Sequence, residues 1–369
     1  MQIAYLSTFY PFRGGIAQFN ASLYRALQNQ GHSVDAFTFT TQYPSILFPG
    51  ETQFVKEGDV VDKIDAKRIL NSVNPVSYFS AAKKIRKYKP DMLLMKYWMS
   101  FFGPSLGYVA SKMHRNTKVI SILDNVIPHE RKIFDKAFTK YFLNKNHAFI
   151  AMSEKVKNDL LNFNKNAKVK IIQHPLYNHF GDIQDKTIAR QKLGLHPDKK
   201  TLLFFGFIRD YKGLDLLINA FSKLDESYQL LIGGEIYGSF DKYQKLIDDN
   251  PRKKDIHSHI KYISDNEVGF YFAASDVCVL PYKSATQSGI TGISYHFETP
   301  IISTNVGGLS EVIHHNKTGY LVEKTDENLI ADSIMQYFKL ENRNSFVENI
   351  KKLKQEMTWD NFAKAIVEF

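Results

Sequence analysis

Two doubly wound parallel-sheet α/β domains are the fold class that this 369-residue sequence predicts, on three observations. Short apolar runs of strand length alternate with amphipathic helical stretches in both halves, the pattern of parallel sheets crossed by helices. A polar, proline-bearing stretch from Pro175 to Thr187 separates the halves and reads as a linker. A 44% hydrophobic and 14% aromatic content supplies enough apolar mass for two cores. The division falls at residues 1–174 and 175–369, with the last helix able to pack back on the N-terminal domain.

In the first half, Gln2 to Ser7 is a strand and Ile16 to Gln30 a helix with Phe19, Leu23, Ala26 and Leu27 on one face, closed by Gly31. Between them PFRGG sets Gly14 and Gly15 ahead of the helix, which suits either a plain turn or close backbone approach to a phosphate or sugar. Val34 to Thr40 is the next strand, and Thr41 to Ser72, broken by Pro44, Pro49 and Gly50, reads as irregular. Val76 to Tyr88 is a short helix on which Tyr78, Phe79, Ala82 and Ile85 share a face. Lys83, Lys84, Arg86 and Lys87 crowd its last turns, where the helix dipole favours cations and where an anionic membrane surface is the other partner. Met92 to Ala110 is nearly long enough to cross a bilayer, but Lys96 interrupts it and Gly103-Pro104 breaks it. Asp91 to Lys96 and Val119 to Leu123 are strands. The second runs into DNVIPHE and gathers Asp124, Asn125, His129 and Glu130 at a strand's carboxyl end, where open α/β sheets hold ligands. Asp and Asn are also ordinary turn residues. Ala148 to Ser153, Glu154 to Phe163 and Val169 to Gln173 add strand, helix and strand before the linker.

The second half opens at Thr201 with a buried strand and a turn carrying Gly206, Arg209, Lys212 and Gly213, followed by a helix with Leu214, Leu217, Ile218 and Phe221 inward. Two cations in such a turn suit a diphosphate, and suit an ordinary surface equally. Strands at Tyr228 to Gly234, Ile260 to Ile263 and Val277 to Leu280 alternate with helices at Phe240 to Asp249 and Asn266 to Ala274. The stretch from Val279 to Glu311 then reads as strand, polar loop Ser284 to Gly289, helix Ile290 to Phe297, strand Ile301 to Thr304 and a Gly307-Gly308 turn. The backbone N–H groups of Ser288, Gly289 and Ile290, with the helix dipole, favour an anion. Small residues there also serve simply to let the chain turn. Trp359 and Phe362 are available to anchor the tail.

The net charge of +10 is unevenly divided. Residues 1–174 carry 25 Lys and Arg against 12 Asp and Glu, a net +13, and residues 175–369 carry 23 against 26, a net −3. A one-sided field points to an anionic partner, and nucleic acid is set aside because no reading motif is present. The single cysteine, Cys278, excludes an intrachain disulfide and sits in an apolar strand, which suits a reducing compartment and argues against a nucleophile. MQIAYLSTFY lacks the basic start and long apolar core of a secretory signal, so a cytoplasmic location is expected.

Taken together, PFRGGI, the loop near residue 124, GFIRDYKGLDLLINAF, LPYKSATQSGI and ETPIISTNVGGLSEVIHHNKTGYLV resemble the family 4 glycosyltransferases of GT-B architecture over nearly the whole chain. The resemblance implies two Rossmann-like domains facing across a cleft. It also implies an acceptor on the N-terminal one, a nucleotide-diphosphate-sugar donor held mainly by the C-terminal one, and transfer with retention; the +13 charge of the acceptor half points to a glycan or lipid-linked glycan as that acceptor. No metal or other cofactor is implied, and no Asp-x-Asp pair suited to Mg²⁺ lies beside the expected diphosphate site. The implied donor contacts are Gly14, Gly15, Gly206, Arg209, Lys212, Ile263, Gln287, Ser288, Gly289 and Ile290; the implied catalytic residues are Asp124, His129, Arg209 and Lys212. Lys212 matches the family lysine that pairs with the diphosphate. Three departures stand out. Phe207 occupies the usual arginine position, with Arg209 two positions on as the available replacement. The family's paired glutamates fall at Ala285 and Ile293, and an ATQSG loop, similar to a recurring variant, offers Gln287, Ser288 and Gly289 instead. The family histidine falls at Asp124, with His129 shortly after. A role in polysaccharide biosynthesis and peripheral contact with the inner face of the cell membrane are expected; the alternative is a GT-B-fold nucleotide-sugar or glycan-binding protein with weak chemistry.

Overall fold

A computed structural model describes residues 1–44, 52–55, 61–126, 134–176, 180–236, 238–285, 288–340 and 343–369. Residues 1–174 together with 358–369 form one unit, and residues 175–357 form the other.

In the N-terminal unit, β1 (Gln2–Leu6), α1 (Gly15–Asn29), β2 (Ser33–Thr41), β3 (Lys67–Asn71), α2 (Pro75–Lys87), β4 (Met92–Tyr97) and α3 (Gly103–Ser111) come first. They are followed by β5 (Lys118–Leu123), α4 (Asp135–Leu143), β6 (Ala148–Ala151), α5 (Glu154–Phe163) and β7 (Val169–Ile171). The strands pair in parallel in the order β3-β2-β1-β4-β5-β6-β7. Parallel pairing follows from the helical returns, and it requires both faces to be covered. Period-two alternation delivers this: Ala4 and Leu6 enter one core, Ile3 and Tyr5 the other. On the second face α1 contributes Phe19, Leu23 and Leu27, each buried and each stabilising by roughly 1.5–3 kcal/mol.

The C-terminal unit repeats the plan with α6 (Lys186–Lys192), β8 (Lys200–Phe205), α7 (Leu214–Phe221), β9 (Tyr228–Gly233), α8 (Asp241–Asp248), β10 (Ile256–His259), α9 (Asp265–Ala274) and β11 (Val277–Leu280). It continues through α10 (Gly289–His296), β12 (Ile301–Thr304), α11 (Leu309–Val312), β13 (Gly319–Val322), α12 (Glu327–Lys339) and α13 (Asn344–Glu356). The sheet is parallel in the order β10-β9-β8-β11-β12-β13. Leu202 and Phe204 enter one core, Leu203 and Phe205 the other. In each sheet the strand order reverses beside the first strand, between β1 and β4 and between β8 and β11, and such switch points are where open sheets bind.

Several expectations are corrected. The irregular stretch contains β3, whose KRILN buries only Ile69 and Leu70 and so carries a weak apolar signal. On α2 the buried face is Tyr78, Ala81, Ala82 and Ile85, while Phe79 is 61% exposed because it stands one residue off that stripe. β10 lies four residues before the apolar IKYI, and Ile263 falls in the loop ahead of α9. The presumed linker belongs to the C-terminal unit: Asp185 caps α6, and Leu176 and Ala189 join its core. The last helix, α14 (Trp359–Val367), does pack back on the N-terminal unit as the sequence allowed, since Trp359, Phe362, Ala363 and Ile366 fill the core beside α1.

Candidate active site

At the C-terminal switch point, β8 ends at Phe205 and the chain passes through Gly206 with φ 99°, a backbone conformation that favours glycine. A Cβ there would lie 2.9 Å from Ile290 Cδ1 and 3.5 Å from Lys212 Nζ, so these three residues meet at one point. Lys212 closes a 3-10 turn, Asp210–Lys212, and Gly213 follows in the left-handed region with no room for a side chain, because a Cβ would strike the Pro281 carbonyl oxygen.

Lys212 is only 9% exposed, and among the described residues no carboxylate lies within ion-pair distance of it. Burial, reinforced by the charge of Arg209, pushes its ammonium down to about 8. A buried cation without a counter-ion is costly on its own and is relieved by an anion bound beside it.

Three hydrogen bonds from Lys283 fix the turn and the start of α7 against the loop after β11. Lys283 N–H donates to the Tyr211 carbonyl at 2.7 Å, and Lys283 Nζ donates to Asp215 at 2.8 Å and Asp210 at 3.3 Å. Lys242 holds the second Asp210 oxygen at 2.6 Å. Asp215 Oδ1 is buried and has no partner among the described residues. Ser288 caps α10: its Oγ accepts the Ile290 N–H at 3.3 Å and shares a hydrogen with the Tyr282 hydroxyl at 3.1 Å. The Ile290 amide, expected to face an anion, is therefore satisfied by the cap.

The N-terminal unit has its own polar cluster at its switch point. Asn20 of α1 accepts from Tyr5 at 2.6 Å and donates to Ser7 Oγ and the Thr8 carbonyl at 2.8 Å each, which ties the helix to the end of β1. Lys96 of β4, 2% exposed, donates to Asp124 Oδ1 at 2.6 Å and lies 3.5 Å over the Phe19 ring. Burial pushes the Lys96 ammonium down while Asp124 pulls it back up. Gly14 has φ 104° and open space at its Cβ position, and Gly15 begins α1.

Residues 13–176 match the family model described as Glycosyltransferase Family 4, and residues 185–353 match the one described as Glycosyl transferases group 1. The chain belongs to the glycosyltransferases. An uncharacterized glycosyltransferase of Methanocaldococcus jannaschii is 22% identical over 98% of this chain and 95% of its own length. A D-inositol 3-phosphate glycosyltransferase of Pseudarthrobacter chlorophenolicus is 33% identical, over 37% of this chain and 34% of that protein. Among solved structures, a glycosyltransferase from Rickettsia africae superposes with TM-score 0.74 at 18% identity, covering 99% of this chain and 97% of that one. HepE of Anabaena, solved with UDP, superposes with TM-score 0.72 at 14% identity, covering 100% and 99%. These likenesses establish the two-domain α/β fold of GT-B type.

The transferase thus brings Gly206, Lys212 and Ile290 together in its C-terminal unit, with Ser288 capping α10 beside them, while Gly14, Gly15 and Asp124 lie in its N-terminal unit. Ile263 is 8% exposed and its side chain belongs to a core cluster with Val268 and Tyr271. His129 and Gln287 lie outside the described residues. Sequence reasoning missed Lys96, Tyr282, Lys283 and Asp215. For Lys96 the signal was a lone charge in the apolar run MLLMKY; for Lys283 and Asp215 none was available, since their pairing depends on how two loops fold. Cys278 is fully buried and burial pushes its thiol up to about 12, consistent with an inert side chain.

Proposed function

We propose that this glycosyltransferase moves a sugar from a nucleotide-diphosphate-sugar donor to the hydroxyl of a glycan or lipid-linked glycan acceptor, with retention of configuration and without a metal or cofactor. The observation that carries the reading is the convergence of Gly206, Ile290 and the buried, uncompensated cation of Lys212. A departing diphosphate needs a positive charge and close backbone approach in one place. The nucleotide is suggested by HepE, which was solved with UDP and with UDP-glucose.

In this scheme the acceptor oxygen bonds to the anomeric carbon as the bond from that carbon to the diphosphate oxygen breaks, and the acceptor's proton passes to the departing phosphate. The protein orients both substrates and stabilises the charge that develops on the leaving group. Lys212 and Arg209 serve the diphosphate, with the amides of Ser288 and Gly289 and the side chain of Gln287 beside it. Gly14 and Gly15 allow a ligand close approach to the backbone of the N-terminal unit, and Asp124, with His129, meets the acceptor. The site of action is the cytoplasmic face of a membrane in polysaccharide assembly, where α2 docks on anionic lipid: Val76 and Phe79, 76% and 61% exposed, share a stripe with Lys83 and Arg86. Among the described residues no helix is long and apolar enough to cross a membrane.

The test is a thermal shift of the purified protein against UDP, GDP, ADP and their sugars. A nucleotide at a hundredfold its Kd stabilises by about 2.7 kcal/mol. One base should raise the melting temperature in the wild type and lose that effect in Lys212→Ala; no shift with any of them overturns the reading. A second reading, a binding protein with weak chemistry, is favoured by Ala285 and Ile293, which stand where acidic residues would be and pack on an apolar core. Slow hydrolysis of a bound nucleotide sugar separates the two.

A further inference from the structure

Asp124 and Lys96 form a feature that the proposed transfer does not require by itself. Asp124 follows β5 and is held there by its own N–H, which donates to the Tyr97 carbonyl at 2.9 Å. Lys96 projects from β4 into the face of the sheet covered by α1 and α14, with its ammonium between the Phe19 ring and one carboxylate oxygen. Phe19 is wedged in turn by Trp359 and Phe362, at ring-centroid distances of 5.0 and 5.7 Å. The lysine therefore has no other place to go. Its grip uses Oδ1 alone: Oδ2 has no partner among the described residues, and the Asp124 side chain keeps 21% of its surface. A buried ion pair is a poor way to add stability, because desolvation of both ions offsets their attraction and an apolar pair of similar volume does as well. What it does supply is a carboxylate held in one orientation at the switch point of the sheet, where ligands bind.

We propose that Lys96 is a positioning residue: from inside the N-terminal core it grips one oxygen of Asp124 and presents the other to the acceptor hydroxyl. The inference rests on the reading of Asp124 as an acceptor contact. Asp124 accepts a hydrogen bond from the incoming hydroxyl, and that hydrogen turns to the departing phosphate as the hydroxyl oxygen bonds to the anomeric carbon, so Lys96 acts through the orientation of the carboxylate.

The test compares wild type, Lys96→Met and Lys96→Met/Asp124→Asn as full-length proteins, with UDP-glucose as the donor probe, water as the hydroxyl and UDP release as the readout. Lys96→Met should lower kcat on the order of tenfold or more while leaving the KM for UDP-glucose within about twofold, the mark of an interaction used after the donor is bound. The double variant, which removes both charges, should recover the melting temperature lost in Lys96→Met and yet stay slow. A crystal structure of Lys96→Met should show the Asp124 carboxylate rotated away from its present place. Wild-type kcat in Lys96→Met, or kcat recovered together with stability in the double variant, overturns the proposal. A carboxylate left in place in the crystal also overturns it, whether or not the wild type acts on UDP-glucose. If the wild type neither releases UDP nor is shifted by any nucleotide, the donor reading fails and the crystal structure alone decides the role of Lys96.

Discussion

Lys212 carries opposite consequences for stability and for binding. Its folded value of about 8 lies below the ordinary 10.5, so between these two values the unfolded chain holds the extra proton. Stability of the ligand-free protein should therefore rise with pH across that window, and the full penalty of the buried charge should be present below it. Nucleotide affinity should run the other way, falling as pH passes about 8 and the cation is lost; an affinity flat between about pH 7 and 9 would contradict this. Replacing Lys212 by Ala should raise the barrier to transfer by about 2.7–4 kcal/mol, a hundredfold or more in kcat, while leaving the circular dichroism spectrum unchanged. Gly213→Ala should be destabilising by about 1–3 kcal/mol in a denaturant titration, because the position is left-handed and a Cβ has the Pro281 carbonyl against it. Gly206, Lys212 and Ile290 were legible in the sequence because a glycine-bearing turn after an apolar strand, and a capped helix start, are local signals. The Lys96–Asp124 pair was not, since it joins a residue of β4 to the one that follows β5 and depends on the register of those strands.

At the scale of elements, the turn that carries Lys212 and the loop after β11 behave as one piece, joined by the Lys283 amide, the Lys283 ion pairs and the close packing of Gly213 on Pro281. Lys283→Met should leave the melting temperature nearly unchanged but raise the KM for the donor on the order of tenfold, because a displacement of Lys212 by a fraction of an ångström would weaken the contact with the diphosphate that we propose for it. Steady-state kinetics at varied donor concentration checks this. Most strands were readable because burial on both faces makes them continuous apolar runs, as in VCVL and LLFF. The exceptions are instructive. Edge strands β3 and β10, KRILN and IHSH, face solvent on one side and carry polar residues, so their apolar neighbours mislead. On α2 the segment 76–79 is apolar throughout except for Ser77, and periodicity over so short a run did not separate the buried Tyr78 from the exposed Phe79.

For the molecule as a whole, the surplus positive charge of the N-terminal half predicts binding to anionic vesicles that weakens with salt, and Phe79→Ser should reduce it further; cosedimentation that is absent, or indifferent to ionic strength, removes the membrane clause alone. Deleting residues 358–369 should strip the N-terminal unit of Trp359, Phe362 and Ile366, a loss of at most about 5–9 kcal/mol of burial, and calorimetry should show that unit melting early while residues 175–357 keep their own transition. Where the C-terminal unit begins and ends, the Leu176 N–H donates to the Met357 carbonyl at 2.9 Å, so this unit closes on itself like an insert within the other. On the ribosome the usual order is thereby inverted. The inserted unit can mature while the first-made half still waits for residues 358–369 to emerge, and a chain that stops before them leaves a finished C-terminal unit attached to an open N-terminal core.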